Sequence, residues 1–351
     1  MIYFDSDYME GAHPEVMRAL METNLEHSIG YGLDPWCEDA RESIRKACGA
    51  PGALVHFLPG GTQTNATVID ALLDRHEGVL AADSAHINVH ESGAVEHSGH
   101  KVLVLPSHEG KVRAEDVADW IDTFYSDDTY EHMVAPGMLY ITQPTEYGTL
   151  YSLAELEDIS QVCHSHGIPL YIDGARLGYA LASPAADFTL KDIARLADVF
   201  YIGGTKCGLL FGEAVVARDP ETLPHFFPII KQHGALTAKG RILGVQFGTL
   251  FRRDDLLYTR ICRHAVELAG RIRRAFEDAG CRVAIDSPTN QQFFILPNAL
   301  MDNLRAKGVS FENWGPRGAE STTVRFVTSW ATTNEDVDAL TSILKAVGNG
   351  N

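Results

Sequence analysis

The feature that most constrains this chain is a repeated alternation, in which short apolar runs rich in β-branched and aromatic residues are separated by amphipathic segments. Seven runs read as strands: ALVHF (residues 53–57), GVLAA (78–82), KVLVL (101–105), MLYIT (138–142), PLYID (169–173), DVFYI (198–202) and EAVVA (213–217). Several are apolar at every position instead of every second one, as expected of strands covered on both faces. Between them, segments 114–124 and 153–166 carry apolar residues at helical spacing, the second stopped by Gly167. The alternation predicts an α/β layered fold built on a large, mostly parallel sheet.

After residue 250 the rhythm changes. A long helical stretch, about 256–279, presents an apolar face with Arg and Glu opposite it. Strand-like VAID, FFIL and VRFVTS follow, with helices around 301–307 and 335–347. The chain has 351 residues, more than a single hydrophobic core usually serves. Two domains are therefore expected: a large one over 1–250 and a smaller α+β one over 251–351. The opening MIYFDSDYMEG reads as a short strand and a polar turn. Segment 1–30, with a helix over 14–24, could pack with either domain.

Charge and cysteine usage narrow the function class. A formal net charge of −18, with no dense basic run, excludes nucleic acid and anionic membranes as partners. No stretch is long and apolar enough to cross a membrane, and the N-terminus lacks a signal-peptide layout. The six cysteines show neither CxxC nor Cys/His ligand spacing, so they read as free thiols in a reducing compartment, with no metal site. Cytoplasm is the expected location.

Four motifs carry chemistry. In FYIGGTK (200–206) a strand runs through Gly203 and Gly204 to Thr205 and Lys206. A lysine just past a buried strand is placed to lose its proton readily and attack an aldehyde. Thr205 offers a hydroxyl to a phosphate, and the glycines let the backbone approach. In YIDGARLGYAL (171–181), Asp173 ends an apolar strand, where α/β sheets place ligand-binding groups. A carboxylate there can keep a pyridine nitrogen protonated, turning the ring into an electron sink, and Arg176 presents a fork suited to a carboxylate. In LPGGTQTNA (58–66), Gly61 and Thr62 open a helix whose free amides would cradle a phosphate. In ADSAHINVHESGA (82–94), His86 follows a strand and could stack on a flat cofactor ring while moving protons, with His90 as its competitor. Singly, each has an ordinary explanation: a surface lysine after a turn, a helix cap, an αβ turn, a structural histidine. Together, in one α/β domain, they point to pyridoxal 5′-phosphate.

This order of motifs, closed by RFVTSWAT (325–332), resembles the low-specificity threonine aldolase family of fold-type I pyridoxal-phosphate enzymes over nearly the whole chain, and within it the phenylserine aldolase branch. The resemblance implies that Lys206 forms the Schiff base, Asp173 partners the pyridine nitrogen, His86 stacks on the ring, and Gly61 and Thr62 hold the phosphate. It implies that Ser6, Arg176 and Arg325 hold the substrate carboxylate, with Arg176 also near the cofactor. Arg241, in AKGRILG, would reach the phosphate of a neighbouring subunit, and Tyr31, in YGLDP, would lie near that interface of a homodimer or homotetramer. The chain departs from the family at three places. Its opening is Asp5-Ser6-Asp7-Tyr8 instead of Arg-Ser-Asp-Thr, TQPTEYG puts Thr145 and Glu146 where many members carry a histidine, and residues 201–205 differ from the common lysine segment.

The implied reaction is cleavage of a β-hydroxy-α-amino acid to glycine and an aldehyde. His86, a bound water or Glu146 would take the β-hydroxyl proton. Transamination, β-elimination and racemisation use the same cofactor and stay open, as does a cofactor-binding protein without turnover.

Overall fold

The computed structural model describes residues 1–348. After a two-residue opening strand β1 (Ile2–Tyr3), all seven apolar runs become strands of one sheet. They are β2 (Leu54–Leu58), β3 (Glu77–Ala82), β4 (Lys101–Leu105), β5 (Ala135–Thr142), β6 (Leu170–Asp173), β7 (Val199–Gly203) and β8 (Glu213–Ala217). Their spatial order is β2-β8-β7-β6-β5-β3-β4. β8 pairs antiparallel with both β2 and β7, and the other pairings are parallel. Strands β6, β7 and β8 are buried at every position, which is why their sequences do not alternate. β5 begins three residues earlier than the sequence pattern indicates, through Pro136 and Gly137. Gly137 permits this because a side chain there would meet Leu73 Cδ2 at 2.5 Å.

The second half also folds as its pattern predicts, around the helix Leu257–Asp278. Strands β9 (Arg282–Ile285), β10 (Gln291–Pro297), β12 (Glu312–Asn313) and β13 (Ser321–Val327) form an antiparallel sheet of order β12-β13-β10-β9, while β11 (Val309–Ser310) pairs with β1. Apolar burial falls into two clusters. The larger lies about the seven-stranded sheet. The smaller is rich in phenylalanine, with Phe276 and Phe294 stacked at 4.3 Å and Phe311 on Phe326 at 4.6 Å. The N-terminal segment divides between them, since Phe4 belongs to the smaller cluster and Val16, on helix Pro14–Glu22, to the larger.

One helix left little trace in the hydrophobic pattern. Pro35–Cys48 is capped by Asp34, whose carboxylate accepts from Cys37 N at 2.9 Å, and ends at Gly49 with φ +62°. Its buried face is Cys37, Ala40, Ile44 and Cys48, of which Ile44 alone is a large aliphatic residue among the surrounding charges. It packs closely on helix Arg241–Phe251, where a Cβ on Gly244 would lie 2.5 Å from Cys37 N.

Candidate active site

The carboxyl ends of β2, β3, β5, β6 and β7 lead into one cavity of about 310 Å³, and β8 enters from the same edge. Gly61, Thr62, His86, Glu146, Asp173, Thr205 and Lys206 all open on it. Residues separated by more than a hundred positions thus meet because each follows a strand of the same sheet.

Asp173, the last residue of β6, is buried. Its Oδ2 accepts from Tyr140 Oη at 2.6 Å and Asn65 Nδ2 at 2.9 Å, and Oδ1 accepts from Ala175 N at 2.9 Å. Burial alone would favour the neutral acid. The nearby His86 and the hydrogen bonds from Tyr140, Tyr201 and Ala175 outweigh it, holding the carboxyl below its ordinary range. It is a largely buried, ionised group that still borders the cavity.

Lys206 is half-buried, and its ammonium form is disfavoured by burial first and by the Arg176 charge second, with Asp7, Glu146 and Asp173 opposing. The net shift is downward, toward the neutral amine that nucleophilic attack requires. The loop around it is held by its backbone. Tyr179 Oη donates to Lys206 O at 2.6 Å, and Gly203 N donates to Gly174 O at 2.9 Å. The glycines of this segment permit this close packing. A Cβ on Gly203 would lie 2.3 Å from Ala175 O, and one on Gly174 would lie 1.9 Å from Tyr201 O. The Thr205 hydroxyl is likewise engaged, donating to Glu213 Oε1 at 2.7 Å and accepting from Gly212 N at 3.0 Å. Glu213 also accepts from Gly204 N at 3.0 Å, and burial pushes its carboxyl up to about 8.

His86 presents its ring to the cavity while its Nδ1 lies 2.7 Å from Glu91 Oε1. Burial opposes its charge, but Glu91, Glu146 and Asp173 more than compensate and raise its pKa. Asn65 Nδ2 joins the two acids, donating to Glu91 Oε1 at 2.8 Å and to Asp173 Oδ2, while Asn65 Oδ1 accepts from Tyr171 Oη at 2.9 Å. His90 also reaches the cavity, with its ring 5.6 Å from that of His86. The sequence motifs did not single out Asn65, Glu91, Tyr140 or Glu213. Asn65 lies one turn after Gly61, and Glu91 five residues after His86, and only those spacings could have flagged them.

At the phosphate end, helix Gly61–Leu72 has no side-chain cap, and its first backbone bond is Thr64 N to Gly60 O. The preceding amides are free to meet an anion.

The arginines form a separate cluster. Arg176 is buried in a bidentate pair with Asp7 (Nε to Oδ2 2.7 Å, Nη2 to Oδ1 3.0 Å), a partner the sequence reading did not foresee. Arg325 Nη1 donates to Gln291 Oε1 at 2.9 Å and Nη2 to Glu312, while its buried Nε has no hydrogen-bond partner among the described residues. Burial and the Arg176 charge both weaken its hold on its proton.

Arg176 and Arg325 do not line the cavity, and three further predicted residues also lie outside it. Ser6 is half-buried and does not line it. Arg241 donates to the Glu26 and Asn24 carbonyls at 2.7 and 2.9 Å. Tyr31 is exposed, has φ +62°, and lies under Lys231 Nζ at 4.8 Å. Thr145 turns away as well, its hydroxyl 2.6 Å from that of Thr149, leaving Glu146 as the member of that pair on the cavity.

A buried carboxylate calls for a cationic partner, and pyridoxal phosphate would fit these residues: its protonated pyridine nitrogen would suit Asp173, its aldehyde Lys206 and its phosphate the free amides. The fold and this complementarity define a fold-type I pyridoxal-phosphate enzyme. The chain belongs to the beta-eliminating lyase family, whose pattern it matches over residues 4–296, and within it to the low-specificity L-threonine aldolases. It is 30% identical to the low specificity L-threonine aldolase of Pseudomonas aeruginosa over 348 residues, covering 98% of this chain and 97% of the relative. The threonine aldolase of Leishmania major superposes with a TM-score of 0.95 at 39% identity, over 99% of this chain and 100% of that one. An aspartate aminotransferase of Thermus thermophilus shares the fold at TM-score 0.72 and 14% identity, over 99% of this chain and 91% of that one. Among the described residues no helix is long and apolar enough to cross a membrane.

Proposed function

We propose that this lyase cleaves the Cα–Cβ bond of a β-hydroxy-α-amino acid of the threonine, allo-threonine or phenylserine type, giving glycine and an aldehyde. The observation that carries the reading is that Lys206, Asp173, His86 and Glu146 open on a single cavity. Bound there, pyridoxal phosphate supplies a sink for the electron pair left at Cα when a bond to that carbon breaks. The protein's residues do the rest. Asp173 keeps a proton on the pyridine nitrogen, and His86 covers the ring. Gly61 and Thr62 hold the phosphate, with Thr205 fixing the neighbouring loop through Glu213.

Arg176 and Arg325 orient the substrate carboxylate, so that the Cα–Cβ bond stands across the ring. An anion between them relieves their mutual repulsion and gives the orphaned Arg325 Nε a partner. Ser6 approaches the same carboxylate from the N-terminal segment. His86, Glu146 or a bound water beside Lys206 receives the β-hydroxyl proton, and Lys206 or a water returns a proton to Cα. The smaller unit, expected over 251–351 and described to residue 348, brings Arg325 to the site. Assembly as a homodimer or homotetramer brings Arg241 and Tyr31 to a neighbour's cavity, and the cytoplasm is the compartment this chemistry suits.

Incubating the holoenzyme with threonine, allo-threonine and phenylserine tests the reading. Glycine and aldehyde are expected, and ammonia with a keto acid would replace cleavage by elimination. A second expectation concerns Glu91. Glu91→Gln removes the main support for the His86 charge, so the imidazole loses its proton at lower pH. The limb of the kcat/KM profile governed by His86 then moves toward acid, with activity reduced about tenfold. An unmoved profile would separate His86 from the proton chemistry.

A further inference from the structure

Next to the Lys206 cavity lies a second hollow of about 510 Å³, which shares His90 and Glu146 with it. Trp314 and Tyr147 form its aromatic walls, with ring centroids 6.2 Å apart and planes at 76°. His90 stands 6.4 Å from Trp314. Trp314 is held rigidly. Its backbone N donates to Thr323 O at 2.8 Å, Phe293 packs against it edge-on at 5.2 Å, and the Arg325 guanidinium carbon lies 4.8 Å from its ring centroid. A fixed aromatic surface therefore begins beside a carboxylate-binding arginine and extends into open space. The other lining groups include three carboxylates, Asp83, Glu109 and Glu146, and no lysine or arginine.

We propose that this hollow is the subsite for the substituent on Cβ, that it takes an uncharged aromatic ring, and that Trp314 is the residue that selects it. The proposal rests on the aldolase reading above. A substrate held by its carboxylate at Arg325 and by Cα at Lys206 must direct its third group along the wall that the two spaces share. The Lys206 cavity is already needed for the cofactor, so a bulky group passes into the adjoining hollow. A methyl group ends before it meets Trp314, whereas a phenyl ring reaches Trp314 and Tyr147 and packs edge to face with them. An anionic side chain instead meets three carboxylates without a compensating cation and is repelled.

The test compares kcat/KM for L-phenylserine and L-threonine in the holoenzyme and its Trp314→Ala and Trp314→Phe variants. Losing the wall lowers the phenylserine-to-threonine ratio about tenfold in the alanine variant, and phenylalanine restores most of it. Trp314 also packs on Arg325, so both substrates suffer in Trp314→Ala; the ratio cancels that shared loss. An unchanged ratio overturns the proposal. Phenylserine bearing a para-carboxylate is a poor substrate of the parent enzyme and improves relative to phenylserine in Glu109→Gln, and the absence of any such discrimination counts against the acidic lining. L-phenylalanine and L-alanine, titrated into the holoenzyme by its visible absorbance, separate the subsite from the reaction, since neither has a β-hydroxyl to cleave. A preference for phenylalanine that vanishes in Trp314→Ala upholds the subsite even if no hydroxy amino acid releases an aldehyde. No preference in the parent enzyme refutes it.

Discussion

Replacing Lys206 by alanine is expected to lower aldehyde release about a thousandfold or more and to abolish the visible absorbance of the lysine-bound cofactor. The loss is chemical and not a consequence of unfolding, because the loop is anchored elsewhere. Tyr179 binds the Lys206 carbonyl, Glu213 holds Gly204 and Thr205, and Gly203 N binds Gly174 O. Thermal denaturation of the variant should therefore resemble that of the parent chain without cofactor. Lys206→Arg should not rescue it, since a guanidinium stays protonated and cannot attack an aldehyde. A Lys206→Ala protein that kept both absorbance and turnover would refute the role of this amine.

The second large effect is expected at Asp173. Asp173→Asn is close to isosteric, yet Oδ2 of the native carboxylate accepts from both Tyr140 and Asn65. An amide nitrogen in that place faces two donors, and one oriented the other way faces the Ala175 amide instead. Either orientation leaves a buried mismatch costing about 1–3 kcal/mol, readable by denaturant titration. Activity should fall further, about a hundredfold to a thousandfold in kcat, because no negative charge remains to keep the pyridine nitrogen protonated. The carboxyl's pKa is depressed in the folded protein, so Asp173 stays ionised through neutral and alkaline pH and gives up its charge only in acid. The parent enzyme should thus show no limb from this group near neutrality. A kcat within twofold of the parent in Asp173→Asn would sink the assignment.

The parts of this molecule that could be read from sequence share a physical reason. A strand buried on both faces must be apolar throughout, so β6, β7 and β8 announce themselves, and whatever follows the co-directional strands β2 to β7 lies at one edge of the sheet. That rule placed Lys206, Asp173, His86, Gly61 and Glu146 together. Pairings between distant polar groups obey no such local rule. Arg176 and Asp7 lie 169 positions apart, and nothing near either one in sequence foretells the other. Tyr140 and Tyr171 sit within apolar strands and look like core residues, although one hydroxyl serves Asp173 and the other Asn65. Thr205 reads as a phosphate ligand until the antiparallel β8 brings Glu213 back beside it. Trp314, in a short and mostly polar segment, gains meaning only from the hollow it walls.

The contact between the Gly174 and Gly203 segments bears on how such a site can change over evolutionary time. Because main chain touches main chain there, the span from acid to amine is set by peptide geometry and is largely indifferent to the side chains packed around it. Substitutions at the rim can alter which amino acid is accepted without disturbing that span. Diversification of substrate range is therefore expected to accumulate at the entrance, while the interior keeps a constant measure.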